Sequence, residues 1–289
     1  SLSPMKSQPV LRHIVNLWTL VDHPTAKKPW SLERQLEEAK AAGFDGFTTF
    51  ARKEHGRLAR KLDLQVVGFV SVGKAADFRR LIQENLDNGA VSINVQLADH
   101  DTPVEQSIRL VVRLQELADT LGAKCSLEIH RDTCTETPEK TYAIAEGYRR
   151  ATGELLPITW DFSHFSVVKR HTPPHCGRRI VKPKLIRRAE QFHFRPFNGH
   201  HCQIPVTDGK GNLSVELMQW LPFLDKTLEM WLAGRQGGRE IFAVPELGPV
   251  NGGYNLASLP SSWEDAKILR TLIDKSWKKA LAAQPKYSK

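Results

Sequence analysis

Glu128, Asp161, His193 and Glu246 are the residues of this 289-residue chain whose types and settings could do chemistry together. Each sits in or just after a short apolar run: SLEIHRDT at 126–133, WDFSH at 160–164, FHFR at 192–195 and VPELG at 244–248. Three carboxylates brought to a single place, here beside one imidazole, repel one another unless a cation lies between them. Such a set suits one hard or borderline divalent ion (Mn2+, Mg2+, Co2+ or Zn2+), with open positions left for substrate oxygens. The same runs carry two further histidines. His130 is two residues from Glu128 and so shares its face of an extended strand, and His164 is three residues past Asp161. The alternative is that each acid makes its own salt bridge with an arginine such as Arg131 or Arg195. Four suitable residues in four separate runs weigh against that.

Something must bring these runs together. Short β-branched or aromatic stretches predict strands at 11–20, 44–50, 64–72, 91–97, 123–129, 157–162, 191–195 and 240–244. Amphipathic stretches between them predict helices at 31–42, 54–62, 76–86, 104–121, 138–150, near 184–190, 213–233 and 263–281. The clearest is 104–121. There Ile108, Val111, Val112, Leu114, Leu117, Ala118 and Leu121 form a stripe at three-and-four spacing. Asp101 or Thr102 can cap it, Pro103 suits its first turn and Gly122 stops it. Eight strand–helix units imply a parallel sheet covered by helices. At this length they predict an α/β fold, a single (β/α)8 TIM barrel, over 5–289. Residues 1–4 read as a cloning remnant. A doubly wound open sheet is the competing topology, but no G-x-G-x-x-G follows the first strand. In a barrel the site gathers where strands end, and the fifth to eighth strands end in the four residues named above.

Composition narrows the class. Forty-one Lys and Arg against 32 Asp and Glu give a net charge of +9, with 40% hydrophobic residues, as in an ordinary folded domain. No apolar run is long enough to span a membrane. Four cysteines without CxxC spacing do not make a disulfide framework, and a cytoplasmic location is expected. The excess positive charge lies largely at 169–188 and in the tail, so nucleic acid is not the expected partner. The segments 169–188 and 196–213 are long enough to serve contacts in a homo-oligomer.

With those four motifs the sequence resembles the xylose isomerase-like barrels. That group spans sugar isomerases and epimerases, inosose and dehydroshikimate dehydratases, and nucleases of the endonuclease IV type. The resemblance covers nearly the whole chain as strand–helix order. It implies one catalytic metal held by Glu128, Asp161, His193 and Glu246. It also matches a D-x-x-H at Asp161–His164, whose histidine meets substrate in isomerases, and it points to Arg195 just past the strand-seven histidine. The epimerases of the group carry a second glutamate six residues after the strand-five ligand, where this chain has Cys134. Its dehydratases carry E-x-H, as does this chain at Glu128–His130.

The mechanism expected is metal-assisted proton transfer beside a carbonyl, through an enediolate. His130, His164, Glu128 and Glu246 are the candidate bases, and Lys169 or Arg195 would neutralise the oxyanion. Trp18 or Trp160 could stack on the C–H face of a sugar. Such an enediolate leads to isomerisation or epimerisation when reprotonated, and to elimination when it expels a β-substituent. His171, His175 and Cys176, with His200, His201 and Cys202, are expected to line a polar pocket rather than hold a second zinc. An endonuclease would need histidines on strands two and three, which end in TTF and SVG, and Asp208-x-Lys210 does not supply its later motif. A non-catalytic sugar-binding barrel is the remaining alternative.

Overall fold

The computed structural model describes residues 7–173 and 181–287. In chain order its elements are β1 (Val10–Asn16), β2 (Pro24–Thr25), β3 (Lys28–Pro29), α1 (Leu32–Ala41), β4 (Gly46–Thr49), α2 (Lys53–Leu62), β5 (Gln65–Val72) and α3 (Phe78–Asp87). Then come β6 (Ala90–Leu97), α4 (Val104–Leu121), β7 (Cys125–Glu128), α5 (Pro138–Thr152), β8 (Ile158–Trp160) and α6 (Phe162–Lys169). The chain ends with α7 (Pro183–Arg187), β9 (Gln191–Phe194), α8 (Val215–Leu232), β10 (Glu240–Pro245) and α9 (Ser262–Ala282). Eight parallel strands close into a barrel in the order β1-β10-β9-β8-β7-β6-β5-β4, while β2 and β3 form a small antiparallel ribbon outside it. This is the (β/α)8 TIM barrel that the alternation of strands and helices predicts. Among the described residues, no helix is long and apolar enough to cross a membrane.

The register decides which side chains look inward. Glu128 stands beside Thr159, Thr159 beside Gln191, and Gln191 beside Phe242. Side chains alternate along a strand, so Asp161, His193, Val244 and Glu246 continue the same inner face. Ile158, Trp160, Phe192 and Ala243 take the other face, against the helices. The inner face carries its own apolar plug of Ile14, Val67, Phe242 and Val244, separate from the large core between barrel and helices. Burying each of these side chains contributes roughly 1.5–3 kcal/mol. At the strand N-termini the half-exposed ion pair Arg12–Glu240, at 2.6 Å, stands at the opposite mouth of the barrel. The plug therefore forms the floor on which the polar residues at the strand C-termini stand.

Three local departures from the sequence reading have clear causes. The first strand stops at Asn16 rather than running to 20, because the Asn16 side chain accepts from Trp18 N at 2.9 Å and starts a 3-10 turn over Leu17–Leu20. β8 is followed at once by α6, a helix the sequence does not announce. Asp161 is its N-cap, accepting from Ser163 N at 3.1 Å and so satisfying one of the free amides of the first turn. The helix near 184–190 is a single short turn, α7, that ends at Arg187.

Candidate active site

A cavity of ≈ 610 Å3 opens at the C-terminal ends of the barrel strands, and Glu128, His130, His193 and Glu246 line it together with Trp18. All of them come from strand ends or from the loops that follow, as the barrel geometry requires. The three inward groups Glu128, His193 and Glu246 are buried. His193 Nδ1 lies 3.2 Å from Glu128 Oε1 and 3.8 Å from Glu246 Oε2, without hydrogen-bond geometry to either. Its other nitrogen, Nε2, faces Gln191 Oε1 at 2.7 Å. An amide oxygen only accepts, so Nε2 donates to it, and Nδ1 is the nitrogen that faces the two carboxylates.

An imidazole nitrogen facing two carboxylates needs positive charge between them. In the protein alone a proton supplies it. Burial lowers the His193 imidazole, but Glu246 and Glu128 outweigh burial and raise it to about 9. Burial pushes Glu128 up, yet His193, His130 and Asn94 together bring it down to about 2. One nitrogen and two carboxylates are donors of the kind a divalent cation takes. The carboxylates are already oriented. Asn94 Nδ2 donates to Glu128 Oε2 at 2.6 Å. Asn16 Nδ2 donates to both oxygens of Glu246, at 3.1 and 2.9 Å. Such outer partners fix ligand geometry and tune the ion held.

Asp161 departs from the expected set of four. Its Oδ2 accepts from Arg195 Nη2 at 2.5 Å and lies 3.3 Å from His164 Nε2. Its Oδ1 accepts from Ser163 N and Ser163 Oγ. Both oxygens therefore already have hydrogen-bond partners, Arg195 at Oδ2 and Ser163 at Oδ1. The separate-salt-bridge alternative thus describes Asp161, although not Glu128 or Glu246. Arg195 also donates to His164 Nε2 at 3.1 Å. His164 and Arg195 are buried and lie outside the cavity wall.

His130 is placed as a base would be. Its Nδ1 meets the Arg131 carbonyl oxygen at 2.7 Å, which fixes the proton on Nδ1 and leaves Nε2 with the lone pair. Burial lowers its pKa, the nearby Glu128 raising it less, so the ring is neutral at pH 7. Its ring centroid is 4.4 Å from that of His164.

The structure separates other residues from the cavity. Trp160 faces the helix layer, fully buried and stacked on Phe162, so it cannot present its ring to a substrate. Lys169 ends α6 and pairs with Glu139 at 2.6 Å, away from the cavity. His200 and His201 sit in the loop after β9, with their backbone amides bonded to Asn198 Oδ1. His171 is half-buried just beyond α6, and Cys202 is half-buried beside the Arg195 charge. His175 and Cys176 lie outside the described residues.

Tyr254 was not singled out in the sequence, yet it forms one wall of the cavity. The guanidinium of Arg131 lies 4.8 Å from its ring and that of Arg195 lies 4.9 Å away. Trp18 meets it edge-on at 4.9 Å. An aromatic residue in the glycine-rich stretch VNGGYNL is the only sequence signal it leaves. Among the described residues, the one His/Cys/Asp/Glu group with ligand atoms all within 4.8 Å of one another is His100, Asp132 and Glu136. It lies towards solvent, with His100 Nδ1 bonded to Asp132 Oδ1 at 2.6 Å and Glu136 Oε2 accepting from Asp132 N. The barrel trio is more open than this.

No protein-family model and no curated protein matches the sequence. Solved structures do match the fold. A xylose isomerase-like TIM barrel protein from Mycobacterium smegmatis, in complex with magnesium, is 16% identical with a TM-score of 0.57, over 92% of this chain and 97% of that one. D-allulose 3-epimerase from Methylomonas sp., in complex with D-allulose, is 14% identical with a TM-score of 0.59, over 96% and 99%. The probable 3-DHS dehydratase AsbF from Bacillus anthracis is 14% identical with a TM-score of 0.54, over 89% and 98%. The chain has the fold of the xylose isomerase-like TIM barrels, among which stand both epimerases and a probable dehydratase.

Proposed function

We propose that the chain is a divalent-metal-dependent isomerase or epimerase that moves a proton beside the carbonyl of a sugar or sugar-derived polyhydroxy compound. The observation that carries this reading is the placing of His193 Nδ1, buried without a hydrogen-bond partner and 3.2 and 3.8 Å from the carboxylates of Glu128 and Glu246. Glu128, His193 and Glu246 would hold the ion, which when bound supplies Lewis-acid stabilisation to the substrate's oxygens. Asp161, tied to Arg195, stands behind them as a fixed negative charge.

The remaining chemistry belongs to the chain. His130 Nε2 takes the proton from carbon, since the Arg131 carbonyl holds the other nitrogen protonated and burial keeps the ring neutral. Asn16 and Asn94 keep the two carboxylates in register, so no reorganisation is needed at the moment of reaction. Trp18 and Tyr254 give the cavity an apolar wall against which the C–H face of a sugar can pack. The likeness in fold to an epimerase holding D-allulose supports a sugar as substrate.

Elimination is the second reading, and Cys134 favours it. That residue occupies the place where a second acid would serve a two-base epimerisation. It is fully buried, and burial pushes its thiol up to about 11, so it is no base. A single imidazole base suits loss of a β-substituent as well as proton return.

Incubation in D2O tests both readings together. The metal-loaded protein should wash deuterium into the position beside the carbonyl of at least one of a panel of ketohexoses, ketohexose phosphates, keto-sugar acids and cyclic keto-polyols, and chelation should abolish it. Product analysis by NMR separates epimer from elimination product. Exchange that survives complete removal of metal would overturn the proposal.

A further inference from the structure

We infer that Arg131 recognises an oxyanion on the substrate, a carboxylate or a phosphate, so that the compound taken is a sugar acid or sugar phosphate rather than a neutral sugar. The inference deepens the function proposed above and rests on it.

Arg131 lines the cavity directly after His130, so the base and this cation come from one loop. Its guanidinium carbon lies over the Tyr254 ring, 4.8 Å from the centroid, a cation–π contact that uses none of its N–H donors. Among the described residues none pairs with that N–H fork. The nearest acid in sequence, Asp132, goes instead to His100 at 2.6 Å.

Among the described residues the second guanidinium at Tyr254, Arg195, pairs with Asp161 and has no hydrogen-bond partner at Nη1. Glu128 and Glu246 stand on the metal side with His193, held there by Asn94 and Asn16. A neutral sugar would leave the Arg131 fork to water. A planar or tetrahedral oxyanion would meet it bidentately, and the contact with Tyr254 already restricts the side chain, which lowers the entropy lost on binding.

The test compares three probes of similar size by isothermal titration calorimetry at fixed ionic strength: D-gluconate, D-glucose 6-phosphate and neutral D-glucitol. At least one anion should bind about tenfold or more tightly than glucitol, and the one that does identifies the oxyanion. Arg131→Gln should remove that advantage and leave glucitol unchanged, while Arg131→Lys should keep part of it. The side chain is exposed, so both variants are expected to fold, which circular dichroism checks. Equal binding of all three probes, no binding of either anion, or an anion preference untouched by Arg131→Gln would overturn the inference. Mn2+ binding by electron paramagnetic resonance reports separately on the metal site. Anion binding that depends on Arg131 in a protein that takes no Mn2+ would leave this inference standing while the function proposed above fell.

Discussion

Arg195 Nη2 donates to Asp161 Oδ2 at 2.5 Å, and both side chains are almost fully withdrawn from solvent, at 2% and 1% exposure. The pair holds Asp161 well below the usual carboxylate range: burial opposes ionisation, and Arg195 with His164 overcomes it. Removing one partner of such a pair strands the other in a poor solvent. Arg195→Met should therefore cost about 3–5 kcal/mol in urea unfolding. The double variant Asp161→Asn with Arg195→Met should recover part of that loss. If the single variant were as stable as the parent, another cation would already be balancing Asp161.

Asn94 tests the metal site without touching a ligand. Its amide holds Glu128 Oε2 at 2.6 Å inside the barrel. Asn94→Leu leaves the carboxylate in place but free to turn. Metal affinity, measured by competition with a chromophoric chelator, should fall about 10- to 100-fold. Glu128→Gln and Glu246→Gln should fall further still, while Asp161→Asn should fall least of the acids, because Arg195 already occupies that carboxylate.

The barrel and the strand ends were legible because both rest on short-range patterning. An alternation of apolar runs and amphipathic stretches predicts the strands, and the first polar residue past each inner run marks the site. Trp160 could have been assigned from the same rule. It is one residue from Asp161, and neighbours along a strand point to opposite faces. α6 was not legible. Its sequence, FSHFSVVK, is buried through its first five positions, so it shows no amphipathic period. Which arginine answers which acid is also outside local pattern. Arg195 and Asp161 are 34 residues apart and meet only because β8 and β9 are neighbours in the barrel. Tyr254 reaches the cavity from a loop whose glycines carry no period at all.

His130 should separate chemistry from metal binding. Its Nε2 is the neutral nitrogen in the cavity whose tautomer is fixed by a backbone carbonyl. His130→Gln should lower kcat by about 100- to 10,000-fold while the affinity for Mn2+ stays within about a factor of three. A matching loss of metal would assign His130 to the ligand set instead.

Gly248 sets the position of the aromatic wall. A Cβ there would stand 2.3 Å from Trp18 Cη2 and 2.6 Å from Tyr254 Cβ. The backbone cannot retreat, because Gly248 N donates to Gln203 Oε1 at 2.7 Å and Gly248 O accepts from Ser262 Oγ at 2.6 Å. The rings must move instead. Gly248→Ala is expected to cost about 1–3 kcal/mol by urea unfolding and to raise KM more than it lowers kcat, since the wall moves but His130 does not.

His13 should give the fold a dependence on pH that the site does not share. The ring is buried where β1 packs on α9, with Nε2 3.2 Å from Asp274 Oδ1. Burial lowers its pKa from the ordinary 6.5, Arg270 adds to that, and Asp274 with Asp45 only partly offsets it. Below pH 6.5 the unfolded chain therefore binds the proton more readily than the folded one. Stability is whole above that pH and falls as the pH drops towards the lowered folded value. Urea unfolding between pH 5 and 8 should show this slope in the parent and a shallower one in His13→Gln, where there is no proton to take up. Equal slopes would mean that His13 protonates in place, with Asp274 able to carry the charge inside the fold.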